Sequence, residues 1–125
     1  MKLQFLLFSL IISACLRAQY YYNDITGTME TNRQMQTYLA NKVKMVSAAG
    51  YTPQGSKATD FSETQEIMEN GKALKITTIA NLNRTVYYNR FDVQNRLISI
   101  TDSVLGVESI TRYEYDKDGR ITSVQ

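Results

Sequence analysis

Aspartate and glutamate are the groups this chain has for acid–base chemistry. It contains no histidine and no tryptophan, and its single cysteine is Cys15. Without histidine no side chain titrates near neutrality in its ordinary state, and every Ser–His or Cys–His nucleophile and the commonest zinc ligand are excluded. The carboxylates that remain include Asp60, Glu63, Glu66, Glu69, Asp92, Asp102, Glu108, Glu114, Asp116 and Asp118. Two of them flanking a sugar ring would suffice for glycoside hydrolysis, provided one sits in an apolar setting that keeps it protonated. No pair lies in such a setting; most fall at turn residues or at outward strand positions. Asp116 and Asp118, on either side of Lys117, are oxygen donors of the calcium type, but that ion takes about six to eight oxygens, and turn chemistry accounts for both residues. The expectation is therefore no catalytic residue, no metal site and no cofactor.

Tyrosine is the second chemical resource, with nine in the chain. Its ring packs against sugars or proteins while its hydroxyl keeps a polar partner. Tyr20, Tyr21, Tyr22, Tyr87 and Tyr88 form the candidate contact surface, with Tyr113 and Tyr115 in the same aromatic set; use in a sheet core is the plainer alternative. Asp102-Ser103-Val104 also resembles the acceptor of some bacterial O-glycosylation systems, and a β-turn before Leu105-Gly106 explains it equally well.

The start of the chain sets the compartment. Met1-Lys2 gives a short positive end, and residues 3–14 are an apolar run of signal-peptide length, too short to span a bilayer core of about 30 Å. Two processing routes fit. A signal peptidase cutting after Ala18 would leave Gln19 as the new N-terminus, and this is the favoured route. Alternatively, Ile12-Ser13-Ala14-Cys15 resembles a bacterial lipobox, with Cys15 lipidated, and only that anchor would tie the protein to a membrane. The net charge of +2 includes Lys2 and Arg17, so residues 19–125 carry as many basic as acidic groups. A neutral chain of this kind is not built for nucleic acid, which is bound by clustered Lys and Arg. With Cys15 in or at the end of the signal, no disulfide framework exists.

The elements that must position these residues form a single β-rich domain over residues 19–125. Residues 19–24 read as an extended aromatic segment. A helix is expected from about 28 to 42, with Thr31 and Gln34 in capping-box spacing and Met35, Tyr38, Leu39 and Val43 on one apolar stripe. Beyond it the period changes to two. Residues 50–55 read as a loop, and strands are expected at 61–68, 73–80, 86–91, 97–101, 110–115 and 121–124. Asn70-Gly71 signals a tight hairpin between the first two. Close spacing without intervening helices means an antiparallel meander of stacked hairpins.

A repeat runs through this meander from about residue 67. Gly71, Asn95 and Gly119 recur at 24-residue intervals, followed by Lys72, Arg96 and Arg120. Each is expected at a hairpin tip with positive φ, which glycine adopts freely and asparagine tolerates. Ile76, Ile100 and Val124 coincide at the same interval, as do Leu97 with Ile121 and Phe91 with Tyr115, as core-facing positions of stacked units.

Phe91-Asp92-Val93-Gln94-Asn95-Arg96-Leu97 and Tyr113-Glu114-Tyr115-Asp116-Lys117-Asp118-Gly119-Arg120-Ile121 resemble the YD repeats of the RHS family, read as aromatic, Asp, two variable residues, Gly, Arg, aliphatic. The resemblance covers about residues 85–125; the segment at 67–76 lacks the Tyr and the Asp. It implies β-hairpin modules of a secreted or surface protein, some of whose relatives enclose toxins or make adhesive contacts. Glu69-Asn70-Gly71-Lys72 is also similar to MORN-like hairpin repeats, without their recurring glycines.

Together these features indicate an exported, non-enzymatic protein whose sheet serves as scaffold or contact surface, in the periplasm, at the outer-membrane surface or outside a Gram-negative cell. A carbohydrate-binding module using exposed tyrosines and a carboxylate glycan hydrolase are the alternatives. Protein or cell-surface glycan partners are expected, together with self-association through a C-terminal edge strand, and the chain reads as the N-terminal part of a longer repeat protein or as a truncated gene product. The intact mass of the exported species should show loss of residues 1–18, or a start at lipidated Cys15. A cytoplasmic product that retains Met1 would contradict export.

Overall fold

In the computed structural model, residues 22, 24–104 and 107–125 are described. The chain divides into two compact units, Met1–Thr31 and Asn32–Gln125. The processing positions Cys15, Ala18 and Gln19, and the tyrosines Tyr20 and Tyr21, lie outside the described residues.

Residues 24–40 are helical, as is Tyr22. The helix thus starts before residue 28, and the aromatic opening is not extended where it is described. Thr26, Thr28 and Thr31 lie inside the helix, their hydroxyls donating to the carbonyls of Tyr22, Asp24 and Gly27, each four residues back, as threonine commonly does within a helix. Thr31 is therefore a mid-helix residue and forms no capping box.

In the second unit the helix ends at a residue with positive φ, Lys42 at 55°. Val43 N–H reaches the carbonyl of Tyr38 at 2.9 Å and Lys42 N–H that of Leu39 at 3.1 Å, the bond pair of a Schellman cap formed without glycine. The cap turns the chain into β1 (Met45–Tyr51), followed by β2 (Lys57–Met68), β3 (Ala73–Ala80), β4 (Asn83–Phe91), β5 (Leu97–Val104), β6 (Val107–Tyr115) and β7 (Ile121–Val124). The seven strands pair antiparallel in chain order. The fold is mainly β, a meander with one helix, as the strand spacing implies. Strands β3, β5 and β7 begin 24 residues apart, as do β4 and β6.

Several strands extend beyond their sequence patterns because a partner on each side continues the ladder. β5 runs to Val104, with Asp102 opposite Tyr87 on one side and Ser109 on the other. Asp102-Ser103-Val104 is therefore strand, paired on both sides up to Val104.

Alternation divides the sheet into two faces. One carries Ile67, Leu74, Ile76, Asn89, Phe91, Leu97, Ile100, Tyr113 and Val124. Met35 packs into it, wholly buried with Leu74, Phe91, Leu97 and Tyr113, and Tyr38 and Leu39 pack alongside. Burial of this cluster is the main source of stability in so small a unit. The helix is also pinned by polar bonds. Asn32 Oδ1 accepts the N–H of Leu97 at 2.7 Å, and Tyr38 Oη donates to Gln65 Oε1 at 2.8 Å. The opposite face carries Ile79, Tyr88 and Ile110, each 38–47% exposed.

The β2–β3 connection passes close to the helix. Gly71 has φ of 87°, and a Cβ there would meet Leu39 Cδ2 at 2.5 Å; Gly119, at φ of 80°, has nothing within 4 Å. Gly71→Ala combines backbone strain with displacement of a packed side chain and should cost roughly 2 kcal/mol or more, whereas Gly119→Ala carries the strain alone, about 1 kcal/mol. Urea unfolding of the two variants checks the order; equal losses would contradict the Leu39 contact.

Candidate functional site

The residues that share a defined geometry are those at the hairpin tips. Gly71, Asn95 and Gly119 have φ of 87°, 60° and 80°. Two of these tips are built alike. After Phe91 and after Tyr115 the chain makes a tight turn in which Asn95 N–H bonds to Asp92 O at 3.1 Å and Gly119 N–H to Asp116 O at 3.0 Å. The ladder then resumes one residue out of step, pairing Phe91 with Leu97 and Tyr115 with Ile121. A residue in the left-handed region at the end of such a turn produces this bulge.

An aspartate clasps each of these tips. Asp92 Oδ1 accepts the N–H groups of Gln94 and Arg96, both at 2.9 Å, and Oδ2 accepts Arg96 Nε at 2.7 Å. Asp116 repeats the set: Oδ1 accepts the N–H groups of Asp118 and Arg120 at 2.9 Å, and Oδ2 accepts Arg120 Nε at 2.9 Å. The spacing Asp-x-x-Gly/Asn-Arg follows from this geometry. The carboxylate must span the turn to reach two backbone donors, the residue at positive φ closes it, and the guanidinium must follow at once to meet the second oxygen. Partial burial raises the pKa of Asp92, but the bonds and charge of Arg96 and the N–H of Gln94 outweigh it and hold the group below the ordinary carboxylate value. Asp116 is lowered chiefly by the Arg120 N–H and guanidinium.

A third tip of this shape lies at the other end of the sheet. Tyr51-Thr52-Pro53-Gln54-Gly55-Ser56 has Gly55 at φ of 82°, Gly55 N–H bonded to Thr52 O at 2.9 Å, and Tyr51 paired with Lys57 across the bulge. Thr52 Oγ1 accepts the N–H of Ser56 at 3.3 Å, so a hydroxyl stands where the other tips have a carboxylate. The segment reads in sequence as a plain loop. Its signal is an aromatic residue four before a glycine, the spacing of Tyr115 and Gly119. The Gly71 tip differs, with positive φ at Glu69, Asn70 and Gly71 in succession and a short 3-10 turn in place of the clasp.

Basic residues connect successive tips. Lys72 Nζ donates to Asp92 O at 3.0 Å and to Asn95 Oδ1 at 3.3 Å, and the Arg96 guanidinium lies 4.6 Å from the centre of the Tyr115 ring. Tyr115 Oη donates to Leu97 O at 2.7 Å, and burial above all raises its pKa.

The remaining candidates are dispersed. Tyr87 and Tyr88 are consecutive on β4 and so point to opposite faces; they share no surface. Tyr22 is exposed on the helix. Glu66 pairs with Lys75 at 3.3 Å and Glu69 with Arg90 at 3.5 Å, while Glu63 accepts bonds from Gln65 and Thr78. Asp102 lies on the helix-bearing face with its Oδ1 buried and without a hydrogen-bond partner. Among the described residues no three acidic or cysteine side chains gather as a metal site, and no helix is long and apolar enough to cross a membrane. A depression of about 350 Å³ is lined by Lys57, Ala58, Thr59, Phe61 and Ser62, none of them a carboxylate.

A meander of hairpins whose strands recur every 24 residues, closed at alternate turns by Asp–Arg clasps, defines a β-repeat architecture. Residues 91–125, which begin at the aromatic residue of one clasp and contain both, match the RHS repeat family. This part of the chain is RHS-repeat-like, and such repeats occur in extracellular or cell-surface proteins. No curated protein and no solved structure matches the chain.

A clasped carboxylate with a lowered native pKa takes up its proton more readily in the unfolded chain. The clasps therefore add stability above the ordinary carboxylate pKa, and that contribution is lost as pH falls through and below about 4. Asp92→Asn should lower the melting temperature at pH 7 and flatten the acid side of the stability–pH curve. An unchanged curve would show that the clasp contributes no linkage.

Proposed function

We propose that this chain is an exported, non-enzymatic repeat protein whose sheet acts as a scaffold or contact surface. The observation that carries this reading is the use to which the charged groups of the RHS-like segment are put. Asp92, Asp116 and Asp118 are bound to Arg96 and Arg120, and the resulting clasps fix hairpins side by side. A general acid needs a carboxyl raised toward neutrality; Asp92 and Asp116 are shifted the other way. Export rests on the signal-like N-terminus and on the surface setting of RHS repeats. Tyr87 and Tyr88 lie on opposite faces and share no aromatic platform, which supports the scaffold over a carbohydrate-binding module.

Incubation of the secreted protein with cell-wall and polysaccharide substrates tests the reading, with release of reducing ends as the measurement. No release is expected from the wild type. Release that is lost in Asp102→Asn, the variant of the half-buried carboxylate whose Oδ1 has no hydrogen-bond partner, would replace the scaffold with a hydrolase.

A further inference from the structure

Each clasp arginine uses the edges of its guanidinium within its own tip. Arg96 donates to Asp92 and Gln94, and Arg120 donates to Asp116 and Asp118. A guanidinium bonded through its edges keeps its flat face for an aromatic ring. For Arg96 that face is taken by Tyr115, which stands at the end of the next hairpin, and its side chain is 30% exposed. Lys72 reaches forward in the same sense, to the tip at Asp92 and Asn95. Arg120 is the third member of the series, 24 residues beyond Arg96, and its side chain is 74% exposed.

The strand that follows Arg120 is prepared in the same way. β7 is the last strand in the sheet order, paired with β6. Gln125 and Arg112 exchange both backbone bonds, at 2.8 and 3.0 Å. By the alternation of an antiparallel ladder, the N–H and C=O groups of Thr122 and Val124 then point away from β6. The edge sequence Ile121-Thr122-Ser123-Val124 contains no charge, proline or glycine, the devices that discourage pairing.

From these two observations we infer that β7 and Arg120 together form a docking edge for an antiparallel strand of the chain's own repeat type, one whose aromatic residue reaches the tip end and stacks on Arg120. The occupant is specified by the neighbouring interface, since β6 lies beside β5 with Tyr115 against Arg96. This inference names the partner of the contact surface proposed above and rests on that reading, but the edge is tested separately from export and from catalysis. Main-chain bonds to Thr122 and Val124 would provide affinity and the aromatic stack would fix register, as in other cases of β-strand addition.

The test uses the whole chain and a synthetic peptide of residues 107–120, the segment that fills the equivalent place beside β5. Calorimetry should show saturable one-to-one binding. Arg120→Gln in the protein, or Tyr115→Ala in the peptide, should weaken it by about threefold to fivefold, the effect of an exposed cation–π contact. Thr122→Pro, which removes an outward N–H, should abolish it, with circular dichroism confirming that the variant folds. Absence of binding to the wild type would overturn the inference, as would binding unchanged by both the Arg120→Gln and the Tyr115→Ala substitutions. Sedimentation provides a further decision: a dimer that Thr122→Pro dissociates and the peptide cannot displace would assign the edge to a second copy of the chain instead.

Discussion

A carboxylate that accepts two backbone N–H groups and a guanidinium at a five-residue tip is the interaction on which the sheet depends. Asp92 and Asp116 each hold a turn that would otherwise have several registers available. By fixing the bulge at Phe91 and Tyr115, the clasp determines which residues of the next strand meet the core face. Because side chains alternate with period two, a slip of one residue would expose Leu97 and Ile121 and bury their polar neighbours. The bonds lie at the surface, yet the packing of the interior depends on them.

The core is narrow and lies at the end of the sheet nearest the helix. Met35, Leu74, Phe91, Leu97 and Tyr113 are its buried members, drawn from the helix and from four strands. Farther along the same face the residues become polar, with Glu63, Thr78 and Thr85 in register across β2, β3 and β4 and Tyr87 opposite Asp102. One helix can cover only part of a seven-stranded sheet, and the residue types change where its cover ends. Gln65, at the margin, is held by Tyr38 and Gln34, so the boundary of the core is made by hydrogen bonds and not by a further apolar contact.

The same economy explains the charges. The cations placed just after the tips have a definite use in the geometry, since Lys72 and Arg96 each tie one tip to the next. Neighbouring hairpins are thus joined by the ladder along the strands, by apolar side chains on one face, and by a cation at one end. Only local contacts are involved, which suits a repeat whose units are added one beside another.

The sequence by itself determined the class of fold, the order of strands β2 to β7 and the positions of the repeat, but not β1. Period-two runs separated by turn residues specify antiparallel strands through local geometry alone, and the ends of β3 and β7 fall where their patterns do. The Asp-x-x-Gly/Asn-Arg spacing was legible because every partner in the clasp lies within four residues. Contacts across the sheet decided the rest. Asp102-Ser103-Val104 became strand because β4 and β6 both continue beside it. The helix begins earlier than its propensity suggests, with Thr26 and Gly27 already inside it, and the Thr52 tip was hidden because a hydroxyl there stands in for the carboxylate. That Tyr87 and Tyr88 part to opposite faces follows from strand alternation once the segment is known to be a strand, but which of the two faces receives the helix is set by the packing of Met35 on Leu74 and Leu97, a contact between residues far apart in the chain.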